Sequence, residues 1–500
     1  MADTDPLVLA VDQGTSSTKA LLVSGRDGRV VARGVAPLGE SQPRPGWVEQ
    51  SAEELWQSVR AAVRACLAGL DDPGRVAGIG LSTQRESMVL WERATGRPVG
   101  PLVSWQDQRT AGQCRELAAT GAGELVRARS GMPLDPMFSA LKARWLLDEY
   151  DPGRTRGRAG ELCLGTVDSW LLSRFAPDDH VVEVGNASRT QLLNVATQTW
   201  DPDLLDLFGV PAGVLPQVAA SSGPFPAARG LDPLPDGVPV LAVLGDSHAA
   251  MFAHGGWRPG VVKATYGTGS SVMAIGGGTG DSPGLCRSVA WDLGRPMLAV
   301  EGNIRATGRT LSWLADLFGV TPEALLAEAG DTPPDGVHFV PAFGGLGAPW
   351  WEPDAVALLS GLTLGTRRGQ IVAAALESVA FQVEDVVAEV ERATGEVRVL
   401  MADGGLTRND RLMRLQAGLS GRTVARSGEH DLSALGAADA AGVAGGLWTF
   451  DDLEARPRPA EEFAPSIGAE ERRARRAAWH EAIRRSRPGA STKAYERSGG

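Results

Sequence analysis

Four cysteines are all that the 500 residues contain, and Cys66, Cys114, Cys163 and Cys286 are too scattered to form a Cys-x-x-Cys pair. That spacing indicates neither a zinc motif nor a disulfide framework, so they read as inert packing residues. Positive charge is also in short supply. Lys and Arg number 49 against 60 Asp and Glu, and the net charge of -11 with a pI near 5.2 argues against a nucleic-acid or anionic-membrane surface. A polyanionic substrate would then need locally placed cations or a metal. No apolar run is long enough to span a bilayer, and the opening Met-Ala-Asp-Thr-Asp-Pro has neither the basic nor the apolar region of a secretory leader. The expectation is a cytoplasmic protein with no nucleic-acid and no membrane partner. The length exceeds one core and predicts two or more domains.

What is present begins with Asp12-Gln13-Gly14-Thr15-Ser16-Ser17-Thr18-Lys19, a polar turn between the apolar runs Leu7 to Val11 and Ala20 to Val23. No helix follows, so this is neither a Walker nor a Rossmann loop; it predicts a hairpin followed by a third strand at Val30-Val31. A hairpin tip with glycine and hydroxyls can cradle phosphate, with Asp12 available to a hydrated Mg²⁺. It can equally be a plain turn.

Residues 53–70 read as a helix with Ser51 and Glu54 as a capping pair. Val76 to Leu81 has the pattern of a buried strand and leads to Gln84-Arg85-Glu86 before the apolar run Met88 to Trp91. Arg85 and Glu86 suit a neutral polyhydroxy ligand, because one donates and the other accepts; a solvated surface pair is the competing reading. Trp105, beside Gln106 and Asp107, fits a carbohydrate site or a core. Residues 137–149 look helical. After a Pro- and Gly-punctuated stretch near 211–239, the strand from Val238 to Val243 delivers Asp246-Ser247-His248, in which Asp246 locally reads as a helix N-cap.

The opening pattern then recurs. Val261 to Thr265, Tyr266-Gly267-Thr268-Gly269-Ser270-Ser271 and Val272 to Ile275 predict a second hairpin, one in each half of the chain. Helices are expected over 311–318 and 370–390. Val397 to Met401 reads as a strand ending in Asp403-Gly404-Gly405, where paired glycines would admit a flat ligand and Asn409 would hydrogen-bond it, before a helix that begins near Leu412. Beyond about Arg485 the composition predicts a disordered tail.

In this order, Asp12-Gln13-Gly14-Thr15, Gln84-Arg85-Glu86, Trp105-Gln106-Asp107, Thr166-Val167-Asp168, Asn186-Ala187-Ser188-Arg189-Thr190, Tyr266-Gly267-Thr268-Gly269, Pro349-Trp350-Trp351-Glu352-Pro353-Asp354 and Asp403-Gly404-Gly405 resemble the FGGY family of carbohydrate kinases, and within it the glycerol kinases. The resemblance runs from about Val8 to Trp448. It implies an α/β fold of two actin-like (ribonuclease H-like) domains with a cleft between them: 1–253 for the sugar and the first phosphate loop, 254–485 for the nucleotide, and 486–500 as tail. It implies an ATP- and Mg²⁺-dependent kinase in which Asp246 is the general base and Asp12 places the metal. Thr15, Ser16, Lys19, Gly267, Thr268, Gly308, Leu311, Gly404, Gly405 and Asn409 would then face ATP. A homodimer or homotetramer is a family-level expectation.

The substrate side would comprise Arg85, Glu86, Trp105, Met137, Asp246, Ser247 and Ser271, and here the sequence departs from the glycerol-kinase pattern. Met137 stands where that pattern has tyrosine, Ser247 where it has glutamine, and Ser271 where it has phenylalanine. The replacements enlarge the pocket, and lost contacts of this kind cost the old substrate about 1–3 kcal/mol each. The expected acceptor is a somewhat larger polyol or ketose. True glycerol kinase, a xylulokinase-type ketose kinase and a non-catalytic sugar-responsive nucleotide-binding protein are the alternatives.

Overall fold

The computed structural model describes residues 5–276, 282–330 and 332–488. Contacts divide the chain into two units, neither contiguous: 1–255 with 287–299 and 431–456, and 256–286 with 300–430 and 457 onward. This is not the single cut after residue 253 expected from sequence.

In the first unit, β1 (Leu7–Gln13), β2 (Ser17–Ser24), β3 (Val30–Pro37), β4 (Val76–Thr83) and β5 (Val240–Gly245) form one sheet of order β5-β4-β1-β2-β3. β1 and β2 make the expected hairpin, with Asp12 opposite Lys19 and the turn closed by the Gly14 N–H donating to the Ser17 carbonyl at 3.0 Å. β1, β4 and β5 run parallel, with Gln13, Thr83 and Gly245 in one register row. The three strands therefore end side by side, the usual location of ligand sites in parallel sheets. β1 and β4 are almost wholly buried, which is why they read as unbroken apolar runs. α1 (Ala52–Leu67) lies against β2 and β3; the Ser51 hydroxyl accepts from the Glu54 N–H at 3.2 Å, the expected N-cap.

The helix Leu432–Ala444 packs on β4, β1 and β5 despite its distance in sequence. A Cβ on Gly80 would stand 2.1 Å from the Ala437 carbonyl oxygen, so a bare backbone on β4 permits this seat. That contact explains why residues 431–456 belong with the N-terminal half. α2 (Ser139–Tyr150) and α3 (Asp246–Ala253) complete the elements that carry candidate residues.

In the second unit, β6 (Val261–Tyr266) and β7 (Ser270–Ile275) form the second hairpin, and β6 pairs in parallel with β8 (Val399–Asp403), which pairs in parallel with β9 (Thr423–Ser427). The order β7-β6-β8-β9 repeats the order β2-β1-β4-β5 of the first unit. α4 (Gly308–Phe318), α5 (Arg368–Thr394), α6 (Asp410–Ser420) and α7 (Ala469–Ser486) surround it. α5 and α7 share a stacked Phe381–Trp479 pair with centroids 5.3 Å apart. α7 extends to Ser486, the first residue of the expected tail; residues 489–500 lie outside the described ones. Among the described residues all four cysteines are buried and free, and no helix is long and apolar enough to cross a membrane.

Candidate active site

The register row at the carboxyl ends of β1, β4 and β5 assembles the first group of candidates. Asp12 and Ser82 are parallel-strand partners, and the Ser82 hydroxyl donates to Asp12 Oδ1 at 2.9 Å. Burial and the neighbouring Asp246 carboxylate push the Asp12 carboxyl up to about 7. Two carboxylates that interact in this way favour positive charge nearby. Asp246 is the first residue of α3, with Gly245 as the N-cap. The N-cap expected at Asp246 is thus one residue off, because its backbone is already helical. Its Oδ1 accepts from the Ser247 N–H at 2.6 Å and lies 3.3 Å from Arg85 Nε. A carboxylate in the first turn of a helix is favoured by the helix dipole.

Arg85 is buried, and a guanidinium nitrogen lies 3.4 Å from Nε2 of the buried His248. Glu86 is also buried, sits in the left-handed region at φ 62°, and accepts from Arg189 Nε at 2.6 Å. Trp105 donates its indole N–H to the Thr15 hydroxyl at 3.0 Å, which ties the first loop to a residue expected on the sugar side. Met137 is half-buried just before α2, whose Ser139 hydroxyl donates to the Glu86 carbonyl at 3.0 Å. The helix expected from residue 137 therefore starts two residues later, leaving Met137 on a loop.

Around the first loop a ring of hydrogen bonds closes on itself. The Thr15 carbonyl accepts from Gln50 Nε2 (2.7 Å), Gln50 Oε1 from Gln84 Nε2 (3.0 Å), and Gln84 Oε1 from the Ser87 hydroxyl (2.8 Å); Ser87 Oγ accepts from the Trp105 N–H (3.0 Å). Ser16 is exposed, and Lys19 Nζ lies 3.1 Å from Asp431 Oδ1. Asp431, Ser82, Gln50, Arg189 and Lys142 are contributors that sequence reading missed. Two of them left a signal: Arg189 stood in the recognised motif Asn186 to Thr190 without a role, and Ser82 directly follows the strand read as Val76 to Leu81.

The second unit collects the others. Gly267, Thr268 and Gly269 form the tip of the β6–β7 hairpin, and the tip is held by Gly308 N–H to the Gly267 carbonyl (3.0 Å) and Thr307 N–H to the Thr268 carbonyl (3.1 Å). A Cβ on Gly308 would meet the Gly267 oxygen at 2.6 Å. Gly404, at φ 95°, would bring a Cβ within 2.4 Å of the Tyr266 carbonyl, whereas Gly405 faces open space. Close backbone approach thus accounts for the first of the paired glycines without any ligand. Asn409 is the N-cap of α6, its Oδ1 accepting from the Leu412 N–H at 3.0 Å. Leu311 is buried in the hydrophobic core of this unit. Ser271 is half-buried on β7, in the second unit.

Among the described residues the backbone N–H groups of Thr15 and Ser16, and of Thr268 and Gly269, donate to no protein acceptor. Each hairpin tip thereby retains amides for an anion. No group of three metal-ligating side chains occurs among the described residues. A single carboxylate such as Asp12 still fits Mg²⁺, which keeps several waters and takes its remaining ligands from phosphate.

Residues 7–253 match the FGGY family of carbohydrate kinases, N-terminal domain, and residues 262–445 its C-terminal domain. A glycerol kinase of Chromobacterium violaceum is 40% identical over 96% of this chain and 98% of its own. An apulose kinase of Pectobacterium atrosepticum is 40% identical over 92% and 94%. Among solved structures, the Plasmodium falciparum glycerol kinase with ADP superposes with a TM-score of 0.88 at 26% identity, covering 96% of this chain and 98% of its own. A xylulose kinase from Rhodospirillum rubrum gives 0.84 at 27%, covering 95% and 98%.

Proposed function

Because the chain belongs to the FGGY family of carbohydrate kinases, with the two-domain actin-like, ribonuclease H-like fold of that family, we propose that it transfers the γ-phosphate of ATP to a hydroxyl of a polyol or ketose larger than glycerol. Phosphotransfer from ATP to an alcohol is the chemistry of the family, and the chain is a kinase of that class. The observation that carries the residue assignment is the placement of Asp246 at the start of α3, paired with Arg85 and close to Asp12 at the ends of three parallel strands.

In this reading Asp246 accepts the proton of the attacking hydroxyl, which contributes a factor of about 10²–10⁴ in a well-positioned general base. Arg85 orients the base, Glu86 accepts from and Trp105 packs against the acceptor, and Met137, Ser247 and Ser271 widen its pocket. Lys19 and the amides of Thr15, Ser16, Thr268 and Gly269 bind phosphate oxygens, with Gly267 giving the second tip its close backbone approach; Gly308, Gly404, Gly405 and Asn409 shape the nucleotide side, with Leu311 as packing beneath it. Mg²⁺, held through water by Asp12, would supply neutralisation of phosphate charge when bound. We place the enzyme in the cytoplasm as a homodimer or homotetramer, which light scattering will decide.

The acceptor is the finer question. The two curated relatives named above are equally similar and carry different names, glycerol kinase and apulose kinase. The smaller groups at Met137, Ser247 and Ser271 favour the larger acceptor. A panel of glycerol, four- and five-carbon polyols, xylulose and apulose, with product identification, tests this: kcat/KM highest for a larger acceptor supports it, and glycerol outcompeting all others makes the enzyme a glycerol kinase. Asp246→Asn is expected to lower kcat by about 10²–10⁴-fold with acceptor binding retained. Unchanged turnover would remove Asp246 as base.

A further inference from the structure

We propose that Arg189 is the positioning residue for Glu86 and, through it, a determinant of which acceptors the enzyme discriminates. The inference rests on the reading above in which Glu86 accepts a hydrogen bond from the acceptor.

Glu86 is a non-glycine residue in the left-handed backbone region, a conformation that persists only where surrounding contacts over-determine it. Three contacts do so. The Ser87 N–H donates to the Arg85 carbonyl at 2.7 Å, the Ser139 hydroxyl to the Glu86 carbonyl at 3.0 Å, and Arg189 Nε to Glu86 Oε1 at 2.6 Å. The first two set the backbone; only the last sets the carboxylate. Arg189 is fully buried, and a buried ion pair is poor evidence for stability, since apolar replacements often serve the fold as well. Its geometry is what distinguishes this one.

The guanidinium is itself held on several sides. It lies 5.1 Å over the Phe138 ring and donates to the Met132 sulfur at 3.6 Å. Its backbone closes the short helix Val184–Ser188, which is fastened at its start by Glu183 accepting from the Gly185 and Asn186 N–H groups at 2.7 Å each, and at its end by the Ser188 hydroxyl accepting from the Val289 N–H at 3.0 Å. Phe138 belongs to the loop that carries Met137, and the buried Lys142 ammonium donates to the carbonyls of Pro136, Met137 and Phe138. One buried framework therefore fixes both a substrate-side carboxylate and the loop beside it. A planar guanidinium is suited to this role because it is pre-organised and can stack, which an ammonium cannot. An acceptor then meets a carboxylate that cannot swing to follow a misplaced hydroxyl.

A double-mutant cycle of Arg189→Met and Glu86→Gln, read by steady-state kinetics on the best acceptor and on its analogue lacking one hydroxyl, tests the proposal. Arg189→Met should raise acceptor KM about 10-fold or more, leave ATP KM unchanged and kcat within about 3-fold, and reduce the preference for the full acceptor over the analogue by a similar factor. In the Glu86→Gln background the same change should add less than about 2-fold. Equal effects in both backgrounds, or a parallel loss of kcat and of both KM values, would overturn it. If Arg189→Met does not fold, Arg189→Lys carries the same cycle, with a smaller rise in acceptor KM expected. An unchanged acceptor KM in Glu86→Gln alone would instead sink the assignment of Glu86, separately from the role of Arg189.

Discussion

Asp12 shows how much of this site is decided by a single group's surroundings. Its carboxyl, near 4 in a free peptide, is pushed to about 7 by burial and by Asp246, while the Ser82 hydroxyl and Lys19 act the other way. The folded state therefore holds a proton that the unfolded chain has already released, so this group's contribution to stability falls as pH rises from about 4 to about 7. Asp12→Asn removes the penalty. Without Mg²⁺, its melting temperature should gain on the parent progressively from pH 5 to pH 7 and stay level above that, in scanning fluorimetry at fixed ionic strength. A constant difference across that range would show that Asp12 does not titrate there. The same substitution should raise the Mg²⁺ concentration needed for half-maximal turnover, because the only carboxylate assigned to the ion is gone.

At the scale of elements, the hydrogen-bonded ring through Thr15, Gln50, Gln84, Ser87 and Trp105 couples the first hairpin tip to the segment that presents Arg85 and Glu86. Gln84 is its central member, donating to Gln50 and Gln13 and accepting from Ser87. Gln84→Leu should destabilise the enzyme by about 1–3 kcal/mol through buried groups left unpaired, and should raise KM for both ATP and acceptor. An effect confined to one substrate would mean that the ring does not connect the two. Both hairpins were legible in the sequence because glycine and hydroxyl residues between short apolar runs leave few other conformations open. Helices α1, α4 and α5 were legible from their spacing, with ends displaced by up to four residues. The ring was not: its members are separated by as much as 90 positions, and nothing in the local composition of Gln50 or Gln84 announces a partner.

For the whole molecule the decisive feature is the return of residues 431–456 to the first unit. The helix Leu432–Ala444 covers β4, β1 and β5, and Gly80 and Gly436 allow backbone contact, the latter leaving only 1.8 Å between a built Cβ and the Ala249 carbonyl oxygen. A fragment ending at residue 255 should consequently expose an apolar sheet face and aggregate or remain poorly folded, whereas the same fragment with 431–456 attached through a flexible linker should be markedly more soluble and show a cooperative thermal transition. Cooperative unfolding of the short fragment alone would contradict this account. In sequence the chain divides once, near residue 253, and the matched family domains follow the same division; in contacts it divides at several places, because a helix is assigned to whichever sheet buries its small-residue face.

By itself, then, the sequence determined the paired hairpins, the alternation of strands and helices, the kinase family, and the residue types that phosphate and hydroxyl chemistry require. These follow from periodicity and turn chemistry, which act over a few residues, and from the order of motifs along the chain. Only the tertiary structure decided that Ser82 supports Asp12, that Asp246 begins a helix instead of capping it, that Asp431 pairs with Lys19, and that a buried arginine 103 positions away holds Glu86. Each of those depends on strand register and on burial, and both are set by contacts between segments far apart in the chain.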